Sequence, residues 1–207
     1  MAAALGERPW HDFSSTTTAR LSAFEDLVRI WSPKVNLVAK SALPDLWERH
    51  ILDSAQIYRL RPEGACHWVD LGSGGGFPGI VVAILAAEKD PGMRVTLVES
   101  DRRKAVFLKE TARKLSLPVT VCVERIEDLA PLEGDVVSAR ALAPLALLCR
   151  YGMRHLKQGG VALFQKGAAV ADEIALARLD WRFDLDAIPS LTDTQGVTVK
   201  LRNIQHV

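Results

Sequence analysis

Trp68-Val69-Asp70-Leu71-Gly72-Ser73-Gly74-Gly75-Gly76-Phe77-Pro78-Gly79-Ile80 is the stretch whose reading decides the fold. A short apolar run ends in an acid, gives way to five glycines within eight residues, and resumes as an apolar segment with helical spacing. That is the pattern of a strand, a turn sized for a phosphate or nucleoside, and a helix. Glycines at 72, 74, 75 and 76 let the backbone take positive φ and let a ligand approach it without meeting a Cβ. Pro78 suits the first turn of a helix, where its missing N–H costs nothing. The helix start offers unpaired N–H groups and the positive end of the helix dipole, which favour electron-rich atoms nearby.

Outward from this stretch, strand and helix alternate. Strands are expected over 66–71, 94–99, 119–123, 135–139 and 161–165, and helices over 78–87, 101–115, 144–156 and about 169–178. Such alternation builds a parallel sheet covered on both faces. The helix over 101–115 is amphipathic, with Val106, Phe107, Thr111 and Leu115 inward and Arg102, Arg103, Lys104, Arg113 and Lys114 outward. Two further strands, 181–188 and 197–204, are joined by 189–196, a loop that allows an antiparallel hairpin. The expected fold is therefore α/β, a Rossmann-like seven-stranded and mostly parallel sheet closed by a terminal antiparallel hairpin. Ahead of it, residues 1–64 read as an N-terminal helical cap on a core formed by 65–207. Within that cap 1–14 is a loose lead-in, and Thr16 to Thr18 cap a helix carrying Leu21, Phe24, Leu27, Val28 and Trp31. Pro33 ends or kinks this helix, and a second helix runs from 43 or 44 to about 60.

Composition narrows the class. Apolar residues make up 48% and charged residues 25% of the 207, as in a soluble globular protein, and the net charge of +1 carries no global polyanion signal. Basic residues outnumber acidic ones 12 to 7 over 100–166, against 8 to 8 over 1–64, so a surface for nucleic acid must be local. Cys66, Cys122 and Cys149 are odd in number and lack a Cys-x-x-Cys pair, which argues against a disulfide framework or a zinc site. They read as buried small hydrophobes of a cytosolic protein. There is no signal-peptide pattern and no membrane-length apolar run.

The glycine turn fits two cofactor classes. Gly74-x-Gly76-x-x-Gly79 matches the dinucleotide fingerprint, and Asp70-x-Gly72-x-Gly74-x-Gly76 matches the turn of S-adenosylmethionine-dependent methyltransferases. Either way Glu99, at the carboxyl end of the second strand, is placed for a ribose diol. A dehydrogenase usually needs a second domain to present its substrate, and here only about 65 residues of helical cap are left over. That cap and the terminal hairpin favour S-adenosylmethionine over a nicotinamide oxidoreductase or a non-catalytic nucleoside-binding module.

Several segments make the resemblance specific. Trp31-Ser32-Pro33-Lys34-Val35-Asn36-Leu37, Arg49-His50-Ile51-Leu52-Asp53-Ser54, the turn from Asp70 to Gly79, Arg125-Ile126-Glu127, Ser138-Ala139-Arg140-Ala141-Leu142 and Lys166-Gly167 together resemble the RsmG (GidB) family of bacterial 16S ribosomal RNA guanine-N7 methyltransferases. Family members commonly carry Asn at Ser32, Thr at Val38 and Ala at Ile126. The resemblance implies methyl transfer from S-adenosylmethionine to N7 of one guanine in 16S rRNA, within a ribosomal particle, by a cytoplasmic monomer with no metal and no membrane attachment. Beside Gly74 of the turn and Glu99 of the second strand, it places the cofactor against Gly72, Phe77, Ile126, Glu127 and Arg140, with Arg140 able to fork onto the cofactor carboxylate or an RNA phosphate. Asn36, Arg49, His50 and Lys166 become candidate RNA contacts, and Asp53 a group that orients Arg49 or His50.

No side chain is expected to serve as catalytic base, because guanine N7 presents an in-plane lone pair and carries no proton. The Pro-Cys pair of carbon-5 pyrimidine methylation is absent. So is an Asn/Asp-Pro-Pro-aromatic segment after the fourth strand, where Ser138-Ala139-Arg140-Ala141 stands.

Overall fold

The computed structural model describes residues 13–207. The expected lead-in over 1–14 lies almost wholly outside the described residues. Helix α1 (Ser15–Val35) is followed by a 3₁₀ turn (Lys40–Ala42) and by a π-helical segment (Trp47–Leu52) that runs into α2 (Asp53–Tyr58). Then come β1 (His67–Leu71), α3 (Gly79–Lys89), β2 (Arg94–Val98), α4 (Arg102–Lys114), β3 (Val119–Cys122), β4 (Gly134–Arg140), α5 (Leu145–His155), β5 (Leu156–Lys166), α6 (Val170–Ala177), β6 (Trp181–Pro189) and β7 (Val197–His206). The strands form one sheet in the order β3-β2-β1-β4-β5-β7-β6. β1 to β5 pair in parallel, and β7 runs antiparallel to both β5 and β6. Leu71 at the end of β1 stands level with Val98 on β2 and Ala139 on β4, so three chains leave the sheet side by side at one edge.

Strand alternation sends successive residues to opposite faces. Trp68, Leu97, Val136 and Leu163 pack with α1, α3 and α4 residues such as Phe24, Ile80 and Phe107. Val69, Val98, Val137 and Phe164 pack with Leu145, Leu148 and Ala177 of α5 and α6 on the other face. Leu21, Phe24, Val28 and Ile51 belong to the first cluster, so the segment before β1 shares one apolar core with the sheet.

Several local expectations are corrected. Ser14, not Thr16 to Thr18, caps α1, accepting from the Thr17 N–H. Pro33 stays inside α1, because it falls in the last turn and removes a single hydrogen bond there; Asn36 ends the helix with a left-handed φ of 55°. The second cap helix starts later than expected, and its first half, Trp47–Leu52, is π-helical before it continues as α2. Val106 is 53% exposed, because the inward stripe of α4 is centred on Ala105, Leu108, Thr111 and Ala112. Of the three cysteines only Cys149 is buried; Cys66 is exposed and Cys122 intermediate.

The turn after β1 is held by Asp70, which has 0% exposure and accepts from the Gly79 N–H at 3.1 Å and the Ser138 hydroxyl at 2.7 Å. A Cβ on Gly79 would lie 2.4 Å from a Leu97 methyl and 2.6 Å from the Asp70 carboxylate. Gly79→Ala is therefore expected to cost about 1–3 kcal/mol through overpacking, read as a lowered midpoint in urea unfolding.

Candidate functional site

Two cavities open at the carboxyl edge of the sheet, where open α/β folds bind ligands. The first, of about 370 Å³, lies against the glycine turn. Gly72 and Gly74, with φ of 65° and 52°, line it together with Glu99, Ile126 and Glu127. A Cβ on Gly72 would come within 2.6 Å of Leu142, so this backbone runs close under its neighbour. Glu99 is 8% exposed and accepts from the Gly74 N–H at 2.8 Å through one oxygen and from the Asp101 N–H at 2.7 Å through the other. The acid at the tip of β2 thus clamps the turn after β1 to the start of α4. Across the cavity Glu127 pairs with Arg125 at 2.8 Å and accepts from the Tyr151 hydroxyl at 3.4 Å. Its own N–H and the Arg125 guanidinium hold its carboxyl below the usual range. Leu142, Leu147, Tyr151 and Lys104 complete the walls.

Five of the seven residues expected at the cofactor converge here: Gly72, Gly74, Glu99, Ile126 and Glu127. Phe77 and Arg140 do not line this cavity. The Phe77 ring is 7% exposed, tilted against Phe24 at 5.1 Å between centroids and stacked on His50 at 5.0 Å, so it links the turn to the helical segments before β1. Arg140 lines the second cavity, of about 260 Å³, with Arg49, His50, Asp53, Gln165 and Lys166.

The second cavity is built around a buried carboxylate. Asp53, 8% exposed, accepts from Gln56 Nε2 at 2.6 Å, Ser190 Oγ at 2.8 Å and Gln165 Nε2 at 2.6 Å, and faces Arg140 Nη1 at 3.6 Å. It orients Arg140 and Gln165 rather than Arg49 or His50. Arg140 Nη2 donates to the Arg49 carbonyl at 2.7 Å, from the π-helical segment that carries both Arg49 and His50. Burial, then Arg140 and Arg49, push the His50 imidazole down to about 3, so it is neutral at physiological pH, and neither ring nitrogen has a hydrogen-bond partner among the described residues. Lys166 is committed inside the protein: it donates to the Ala143 carbonyl at 2.9 Å and pairs with Glu173 at 2.6 Å. Arg49 is exposed and has no ion pair among the described residues. Asn36 caps α1 and lines neither cavity.

Ala141 lines both cavities. It is a non-glycine residue at a φ of 48°, immediately after Arg140, where the two cavities share a lining residue. Ala141 and Leu142 carry no role of their own in the sequence beyond the segment around Arg140, and Tyr151 and Gln165 have no signal there. Nothing in the amphipathic pattern of α5 sets Tyr151 apart, and Gln165 is placed by strand register.

No helix among the described residues is long and apolar enough to cross a membrane, and no group of three or more His, Cys, Asp or Glu among them is arranged to hold a metal ion.

A sheet of this order, with an acid at the tip of β2 clamping a glycine turn after β1, defines a class I S-adenosylmethionine-dependent methyltransferase fold. Solved structures agree. A TehB-like methyltransferase of this cofactor class from Corynebacterium glutamicum superposes with a TM-score of 0.57 at 14% identity, over 87% of this chain and 97% of its own. One from Aquifex aeolicus gives 0.59 at 14% identity, over 76% and 92%. The chain belongs to the GidB family, rRNA small subunit methyltransferase G, whose pattern it matches over residues 17–197. Proteins named ribosomal RNA small subunit methyltransferase G from Ruegeria pomeroyi and Cereibacter sphaeroides are each 50% identical over 194 residues, covering 94% of this chain and 95% and 93% of theirs. That from Parvibaculum lavamentivorans is 49% identical over 193 residues, covering 92% and 85%.

Burial pushes the Asp70 carboxyl up to about 6 against the hydrogen bonds from Ser138 and Gly79. A carboxyl raised in the folded state contributes stability that is fully present below its unfolded pKa near 4 and is lost as pH rises through about 6. Urea midpoints of wild type and Asp70→Asn between pH 4 and 7.5 should show wild type losing roughly 2–3 kcal/mol relative to the variant over that interval.

Proposed function

We propose that the protein transfers a methyl group from S-adenosylmethionine to N7 of one guanine in 16S ribosomal RNA, as a cytoplasmic monomer acting on a ribosomal particle. The observation that carries this reading is the pair of cavities that share Ala141, one lined by the glycine turn and Glu99 and the other by Arg49, Arg140 and Lys166 together with the carboxylates of Asp53, Glu173 and Asp193. Family membership supports the RNA substrate.

The first cavity fits S-adenosylmethionine by its own chemistry. Glu99 offers carboxylate oxygens to a ribose diol, Ile126 and Leu142 are apolar walls for an adenine, and Glu127 accepts from its amino group. Gly72 and Gly74 leave the backbone bare where the ligand passes. Bound there, S-adenosylmethionine supplies an electrophilic methyl group on a sulfonium.

The chain's own part is positioning and electrostatics. The target guanine leaves its stack and enters the second cavity, since N7 cannot be reached within a helix. Arg49 at the rim meets RNA phosphate, while Lys166, already paired, fixes the loop that carries Ala141 by holding the Ala143 carbonyl. Attack by N7 releases no proton, so neither a general base nor a metal is called on. His50, neutral throughout, is an aromatic wall with unpaired nitrogens rather than an acid or base.

Nucleoside mass spectrometry of ribosomal RNA from cells with and without the gene tests the reaction: 7-methylguanosine in 16S rRNA is expected to fall by one residue per molecule on deletion, and an unchanged level refutes it. The purified enzyme should hold kcat within about twofold between pH 7 and 8.5, because no group needs to titrate for the attack. Calorimetry should show S-adenosylhomocysteine binding and no NADH binding. Glu99→Ala is expected to weaken the former by about tenfold to a hundredfold, the loss of charge-assisted hydrogen bonds.

A further inference from the structure

In the second cavity a row of side chains is ordered across three strands. Arg140 on β4 stands opposite Gln165 on β5, and Gln165 opposite Thr198 on β7. Residues in register share a face of the sheet, and all three line the cavity. Ala141, which follows Arg140 in the chain, lines both this cavity and the one against the glycine turn.

Gln165 is 8% exposed and cannot turn its amide around. Its Nε2 donates to the Asp53 carboxylate at 2.6 Å and to the Asp53 carbonyl at 2.9 Å, two acceptors that would repel an oxygen in its place. Its Oε1 is therefore left as the acceptor, and it is buried with no partner. Next to it, Arg140 Nη1 is a buried donor with no hydrogen-bond partner, since Asp53 Oδ2 lies at 3.6 Å. Buried polar atoms of both kinds are rare in native interiors unless something else fills them. Here an unmet donor and an unmet acceptor sit on adjacent strands of one cavity.

We propose that this row reads the edge of the target guanine, Arg140 donating to O6 and Gln165 accepting from N1–H, so that Gln165 separates guanine from adenine-like bases. The proposal rests on the guanine-N7 reading above. Guanine carries along one edge the acceptor N7, the acceptor O6, the donor N1–H and the donor 2-amino group. The cavity, moving away from Ala141, offers the methyl-donor side, then the Arg140 donor, then the Gln165 acceptor. The two orders match. Adenine would set its 6-amino donor against Arg140 and its bare N1 against the Gln165 oxygen, mispairing both. Asp53 is the positioning residue that fixes both reading groups.

The test uses ribosomal particles carrying guanine, hypoxanthine or 2-aminopurine at the methylated position. Hypoxanthine keeps O6 and N1–H, whereas 2-aminopurine keeps N7 and loses both. Wild type should act on guanine and hypoxanthine and reject 2-aminopurine by about a hundredfold or more in kcat/KM. Gln165→Leu and the better shape match Gln165→Met should lose about a hundredfold on guanine and hypoxanthine and far less on 2-aminopurine, narrowing the ratio between them, with S-adenosylhomocysteine affinity held and the unfolding midpoint lowered by the lost donor to Asp53. An unchanged guanine rate, an equal loss on all three bases, or loss of the fold in both variants makes Gln165 a strut and overturns the proposal. Absence of 7-methylguanosine with wild type on guanine particles would instead overturn the reaction on which it rests.

Discussion

The Asp70 carboxylate, one residue before the end of β1, has no exposed surface, one oxygen accepting from the Gly79 N–H and the other from the Ser138 hydroxyl. Ser138 in turn accepts from the Trp68 indole N–H, so the chain of hydrogen bonds runs from the core out to the turn. A buried carboxylate without such partners would be strongly unfavourable, and this one can be satisfied only if the helix after the turn begins at Gly79 and β4 lies beside β1. These two conditions set the level at which β1 and β4 leave the sheet. Glu99 performs the equivalent task for β2, accepting from Gly74 and Asp101. The nucleoside-sized cavity lies between Glu99, the glycine turn that Asp70 braces from behind, and the loop after β4.

The same loop shapes its other side. Lys166, paired with Glu173, holds the Ala143 carbonyl, and Glu173 also accepts from the Leu145 N–H at the start of α5. Farther along the edge, Asp53 gathers Gln56, Gln165, Ser190 and Arg140 from four separate stretches of chain. Each cavity is thus organised by a mostly buried carboxylate, Glu99 with partners within one βα unit and Asp53 with partners as far along the chain as Gln165 and Ser190. The segment before β1 is integral to this arrangement, because α2 supplies Asp53 and the π-helical turn supplies Arg49 and His50.

What the sequence discloses follows the range of the interactions. The strand, glycine turn and helix around Asp70 are local, and Glu99 is one βα unit away, so spacing alone points to them. The terminal hairpin is legible for the same reason. Arg140 is recognisable as a residue at a strand end, but which of two adjoining cavities it faces depends on Asp53, 87 positions earlier in the numbering. Gln165 becomes notable only through its register with Arg140 and Thr198, and Tyr151 only because α5 lays it against Glu127. Lys166 reads as a free loop cation until the fold supplies Glu173. Pro33 reads as a helix breaker, and its position one turn from the end makes it harmless.

Ala141 holds a left-handed φ of 48° and lines both cavities. This shared border bears on chemical inhibition. An adenosine and a purine ring joined by a bridge that passes Ala141 would occupy both cavities at once. Its second half would bind at the effective concentration set by the first, a gain that neither fragment has alone. The second cavity would also lend such a compound selectivity, since the adenosine half by itself addresses a feature common to the whole methyltransferase class.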